Sequence, residues 1–167
     1  MDTQEILDAL IARAGKLIWA TEPQLGSNLR RVDFWTLSPH EGKGHEARSY
    51  EIKVSRQDFK RDSHNKQREA RLYSDKFYYV TPPGLLKKEE IPDWAGLQEW
   101  NGERFLHRIH APNLSKAVPS WDFVSSLFRT AGAIRRDTSF EMQALKNESA
   151  NLRRKLEMLR TQNEAGA

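Results

Sequence analysis

The chain has 167 residues, no cysteine, and 27 basic against 23 acidic side chains, a net charge of +4. That length accommodates one domain with a small appendage, and the missing thiols exclude disulfide frameworks and thiolate zinc sites. Mild basicity permits a polyanionic partner, while the lack of a secretory N-terminus or a bilayer-length apolar run predicts a cytosolic protein with no membrane partner.

In chain order, residues 3–14 carry Ile6, Leu7, Leu10, Ile11 and Ala14 at helical spacing, with Asp2 or Thr3 as cap and Gly15 as stop. Residues 17–21 read as a strand, and residues 23–28 as a Pro/Gly/Ser/Asn turn leading to a second strand at 30–37. A polar loop (38–46) precedes a third strand at 47–55. Residues 56–72 contain no Gly or Pro and are highly charged, which predicts one helix with a solvated face. A fourth strand at 76–81 ends at Pro82-Pro83-Gly84. A short helix or turn follows at 87–90, then a hairpin of 96–100 and 103–109 closed by the two-residue signal Asn101-Gly102.

Ser120 is placed to cap a helix over 121–135, with Trp121, Val124, Leu127, Phe128 and Ala131 on one face. From Ser139 the residues Met142, Leu145, Ser149, Leu152, Leu156, Leu159 and Asn163 alternate at spacings of three and four, a heptad seam about three repeats long. The seam predicts a self-associating coiled coil; the alternative is an amphipathic helix folded back on the core. The expected architecture is an α/β core with a mixed sheet flanked by helices over residues 1–135, and a helical, coiled-coil extension over 136–167.

Within the third strand, Glu51 and Lys53 are two residues apart and share a face, with Ile52 turned to the other. Asp33 lies in the preceding strand. An E-x-K tripeptide is common by chance. Here, however, both acids sit in β-branched and aromatic runs that disfavour them, and the segment after Lys53 is rich in Arg and Lys. Two carboxylates and a lysine on one sheet face suit a hard divalent cation and a polarised water, the chemistry of phosphodiester hydrolysis.

The succession Asp33, then Glu51-Ile52-Lys53, resembles the PD-(D/E)XK nuclease superfamily. The longer run from Tyr50 through Val54-Ser55-Arg56-Gln57-Asp58-Phe59 is more specific. With Arg30-Arg31-Val32-Asp33 upstream, and the segments at 73–82 and 91–97 downstream, it resembles the MmcB-like DNA repair proteins and their phage relatives, over roughly residues 17–100.

The resemblance implies a restriction-endonuclease-like core and a metal-dependent deoxyribonuclease of a bacterial or phage-infected cytoplasm. Asp33, Glu51 and the Ile52 carbonyl would bind Mg²⁺ or Mn²⁺, and Lys53 would assist the nucleophile. Glu22 is a further candidate, against the reading of a surface acid beside a turn; Glu5 is another. Arg30, Arg31, Arg56, Lys60, Lys66 and Arg71 are candidate DNA phosphate contacts, and His64 a possible one. Tyr73 could face the site or pack the helix end. Ser55 and Asp58 read as a helix cap, and the five tryptophans as core or edge packing. Superfamily exonucleases place a Gln and a Tyr four apart after the lysine, whereas Gln67 and Tyr73 are six apart, which favours an endonuclease. A homodimer through the C-terminal helix, a silent DNA-binding module and a coiled-coil adaptor are the remaining expectations.

Overall fold

The computed structural model describes residues 2–25, 30–62, 65–130 and 139–165. The chain divides into two compact units, Met1–Ala133 and Ile134–Ala167. In the first, helix α1 (Thr3–Ala14) begins where the Asp2 carboxylate accepts from Glu5 N, so Asp2 rather than Thr3 is the cap. Six strands follow in one sheet: β1 (Ile18–Thr21), β2 (Phe34–Leu37), β3 (Ala47–Ile52), β4 (Lys76–Thr81), β5 (Gly96–Trp100) and β6 (Phe105–Ile109). Their spatial order equals their chain order. β1, β2 and β3 pair antiparallel, β3, β4 and β5 parallel, and β6 antiparallel to β5. The architecture is therefore a mixed α/β sheet flanked by helices.

Strand alternation sorts the core onto two faces. Phe34, Tyr50, Ile52, Tyr78 and Val80 pack under Ile6, Leu10 and Ala14 of α1. Trp35, Ala47, Phe77, Tyr79 and Leu97 form the other face, covered by Ala70 of helix α3 (Arg68–Leu72) and Phe123 of helix α4 (Trp121–Thr130). Gly96 is required where β5 passes under a ring: a Cβ there would lie 2.4 Å from Tyr78 Cε1 and 2.7 Å from Ala111 N.

Several expectations are corrected. The segment 56–72 is two helices, α2 (Arg56–Arg61) and α3, because the chain leaves the helix at Asp62, whose carboxylate bonds the side chains of Gln67 and Tyr79. The β5–β6 connection is a four-residue loop, since Trp100 pairs with Phe105. There Asn101 Oδ1 accepts from Glu103 N and Arg104 N, and Gly102 takes φ 95°. Strands β2 and β3 are shorter than expected, and Asp33 stands one residue ahead of β2.

Ser120 caps α4 through Phe123 N, but the buried face holds Phe123, Ser126 and Leu127. Trp121 is 86% exposed and Phe128 lies outward too, because the Phe123 ring fills the slot against Trp35 and Tyr73. Trp121 is therefore not a packing residue of this unit.

In the second unit, helix α5 (Ser139–Ala165) exposes Leu145, Leu152 and Leu156 at heptad spacing. The side chains of Met142, Leu159 and Asn163 lie outside the described residues, as do 26–29, His64 and the expected end of α4 beyond residue 130. Among the described residues no helix is long and apolar enough to cross a membrane.

Candidate functional site

The antiparallel register that pairs Phe34 with Tyr50 sets Asp33 opposite Glu51, on the face shared by Trp35 and Ser49. The Asp33 carboxylate closes on the end of β3, where Oδ2 accepts from Ile52 N at 2.6 Å. Glu51 is largely buried. Its Oε1 accepts from Lys53 Nζ at 2.9 Å, while its Oε2 is buried and meets no hydrogen-bond donor. An orphaned carboxylate oxygen in a protein interior is costly unless a cation or water completes it.

Lys53 follows β3 directly and keeps the ladder, donating its N–H to Val80 O at 2.9 Å. Its side chain is only 8% exposed and stands among three carboxylates. Besides Glu51, Asp58 Oδ2 lies at 3.6 Å and Asp62 Oδ2 at 3.8 Å. Asp62, 3% exposed, accepts from Gln67 Nε2 at 2.9 and 3.1 Å and from the Tyr79 hydroxyl at 3.2 Å. Tyr79 in turn packs edge-on against Phe59 of α2. The lysine is thus anchored from below by a buried acid, itself fixed by two donors on α3's approach and β4.

The electrostatics follow from burial and crowding. Burial, then the Asp33 charge, push the Glu51 carboxyl up to about 7, against the opposing pull of Lys53. Burial also raises Asp33, partly countered by its bond from Ile52 N and by Lys53, with the Glu22 and Asp58 charges adding to the rise. Burial works against the Lys53 ammonium, but Glu51, Asp62 and Asp58 outweigh it and lift its pKa above that of an ordinary lysine. Burial, then Asp62, keep the Tyr79 phenol protonated as a donor. Two acids that resist ionising side by side, next to a firmly cationic lysine, are the arrangement a divalent cation would relieve.

Sequence reasoning brought together Asp33, Glu51, Ile52 and Lys53, and the structure places them on adjacent strand ends. It missed Asp62 and Tyr79 and gave Gln67 no role there. Asp62 sits in a helix-like charged run with nothing to mark its burial; Tyr79, the fourth residue of KFYYVT and on the Glu51 face, was the one available signal. Glu22 follows β1 directly, with a φ of 46°, its N–H donating to Asp33 O at 3.1 Å, and its exposed carboxylate pairs with Arg31 at 3.2 Å. Glu5 is exposed in the first turn of α1.

The expected phosphate contacts divide. Arg30 reaches Asn65 O and Lys66 reaches Arg61 O, both at the surface, and Lys60 is exposed. Arg56 is tied to Leu85 O and Glu90, and Arg71 stacks 4.5 Å over Trp94. Ser55 caps α2 through Asp58 N at 3.1 Å, whereas the Asp58 carboxylate turns to Lys53. Tyr73 packs, stacked on Phe123 at 4.9 Å.

Among the described residues no group of three or more His, Asp or Glu side chains is disposed to hold a metal ion. The donors on offer are Asp33, Glu51 with its orphaned oxygen, and the Ile52 carbonyl. This oxygen-only set fits Mg²⁺ or Mn²⁺, which retain several waters in such sites.

No protein-family model matches the chain, and no curated protein matches it. A solved structure of a protein of unknown function from Silicibacter pomeroyi is similar at a TM-score of 0.52 and 22% identity, over 82% of this chain and 84% of that one. That likeness concerns the fold.

Proposed function

We propose that this chain is a PD-(D/E)XK-type nuclease with a restriction-endonuclease-like core, hydrolysing DNA phosphodiester bonds with Mg²⁺ or Mn²⁺. It would act as an endonuclease in DNA repair or phage DNA processing. The observation that carries the reading is the buried, partnerless Glu51 Oε2 across the ladder from Asp33, with Lys53 on the same face.

Asp33, Glu51 and the Ile52 carbonyl would hold the cation. When bound, it supplies a water of lowered pKa and neutralises charge on the scissile phosphate. Lys53, its ammonium strengthened by Glu51, Asp62 and Asp58, remains protonated near neutrality. It therefore serves as a donor, orienting the attacking water and offsetting charge that builds on the phosphoryl oxygens. Asp62, Gln67 and Tyr79 hold that ammonium in place. Arg30, Arg31, Arg56, Lys60, Lys66 and Arg71 would contact flanking phosphates.

The heptad-spaced leucines exposed on α5 support a homodimer through that helix. Two active sites per dimer suit cleavage of both strands or of a branched junction.

The test is incubation of purified protein with linear, circular, single-stranded and branched DNA, and with RNA, in Mg²⁺, Mn²⁺ or EDTA. Cleavage is expected with either metal, absent in EDTA and in Glu51→Ala and Lys53→Ala. Unchanged cleavage in those variants overturns the assignment. DNA binding with no turnover under any metal marks a silent module instead. Loss of function only on deleting residues 139–167, with the core's metal binding intact, marks an adaptor.

A further inference from the structure

Beside the metal-binding candidates lies a second feature, of which the hydrolytic reading uses only Arg31. The β1–β2 ladder continues past both strand ends: Glu22 N donates to Asp33 O, Gln24 bridges Arg31, and Leu25 N donates to Arg30 O at 3.0 Å. Helix α4 is pinned to this extension by Gln24 N donating to Ser126 Oγ at 2.8 Å. Between the extension, α1 and α4 is a cavity of about 560 Å³, lined by Leu7, Thr21, Glu22, Gln24, Arg31 and Arg129 among others. Its rim carries Glu22, directly across the ladder from Asp33, and Arg31, two residues before it.

We infer that this cavity receives one unpaired nucleotide of the DNA strand lying in the site, so that the preferred substrate has a single-stranded or mispaired nucleotide next to the scissile phosphate. This rests on the nuclease reading for what happens at Asp33, but its own argument is separate. The volume falls within the roughly 300–1,000 Å³ of small-ligand sites, which a stacked and paired base could not enter without leaving the helix. The lining combines an apolar wall, Leu7, with the hydroxyl group of Thr21, which can bond a base edge. Arg31 and Arg129 supply cations for the nucleotide's phosphates.

The gate is already loose. Glu22 and Arg31 are 65% and 61% exposed in side chain, so their 3.2 Å pair is a weak solvated bridge that a phosphate can displace. The left-handed backbone of Glu22 (φ 46°), a strained conformation for a residue with a Cβ, falls at this rim.

The experiment measures affinity by fluorescence anisotropy in Ca²⁺ for three 25-mers of one sequence: fully paired, with one central mispair, and single-stranded. A parallel set carries 2-aminopurine at the central position. The wild-type chain is expected to bind the mispaired and single-stranded DNA about tenfold more tightly, the effect of one or two added hydrogen bonds, and to change the 2-aminopurine emission on binding. Leu7→Trp, which fills the cavity, and Arg129→Glu, an exposed charge reversal, are each expected to bring the ratio close to one; far-ultraviolet circular dichroism and a thermal melt qualify each variant. Equal wild-type affinity for the three DNAs, or a ratio that survives in a folded variant, overturns the inference. A protein that cuts paired duplex but shows no preference sinks the cavity assignment and leaves the hydrolytic reading standing. The preference without cleavage in Mg²⁺ or Mn²⁺ does the reverse.

Discussion

Replacing Glu51 by Gln should make the metal-free protein more stable at pH 8, although it deletes an ion pair. Burial and Asp33 hold the folded-state pKa at about 7 against an ordinary 4.5. An acid whose folded pKa is raised favours folding while protonated. Its contribution is complete below pH 4.5, declines as the pH climbs to about 7, and is gone above that. At about 1.4 kcal/mol per pH unit of difference, ionised Glu51 costs the apo fold about 3 kcal/mol at pH 8. Gln is nearly isosteric and does not ionise, so it escapes that cost, and its amide can still accept from Lys53 through one oxygen. The value of about 7 already includes the pull of Lys53, and at pH 5 Glu51 is neutral with no charge pair to lose, so the diagnostic quantity is the change in the variant-minus-wild-type difference with pH. Urea unfolding in EDTA at pH 5 and pH 8 should show Glu51→Gln gaining roughly 3 kcal/mol on wild type between the two, worth about 10 °C in Tm. A variant-minus-wild-type difference that stays flat across that interval refutes the assignment of a strained, ionisable Glu51, and with it the reason for a cation to bind there.

Metal affinity follows the same sign. Because Mn²⁺ must displace a proton from Glu51, its affinity by calorimetry should fall about tenfold per pH unit below pH 7 and level off above it; a pH-independent affinity would contradict this. Asp62→Ala leaves Gln67, Tyr79 and Lys53 without a shared acceptor, so a loss of about 3 kcal/mol in denaturant stability is expected, with a lower kcat at unchanged DNA affinity. Gly96→Ala forces a Cβ against the Tyr78 ring and the Ala111 backbone, and should cost about 2 kcal/mol by thermal melt. Deleting residues 139–167 should turn a dimer into a monomer by sedimentation while leaving the core's melting temperature within a few degrees.

Much of the architecture was legible because it depends on local period. The apolar stripe at Ile6, Leu10 and Ala14 is the face α1 buries, and the alternation of Tyr50, Glu51, Ile52 and Lys53 sends hydrophobic and charged side chains to opposite faces of β3. Legibility failed where a distant partner decides. Residues 56–72 have a helix-compatible composition throughout, yet Asp62 leaves the helix for Gln67 and Tyr79, a choice no window of sequence contains. In α4 the apolar pattern fits two faces equally well, and Phe123 rather than Trp121 is buried because Trp35 and Tyr73 present their rings there.

By itself the amino-acid order determined that Glu51 and Lys53 share a face, since side chains two apart in a strand must, and that Asp33 precedes a neighbouring strand. Only the folded sheet decided that Asp33 stands opposite Glu51 and that a buried Asp62 underpins Lys53. Register and burial are set by strand pairing and by helices brought in from residues tens of positions away. The charge of Glu51, ordinary in an extended chain, becomes costly only in the dry interior those contacts create.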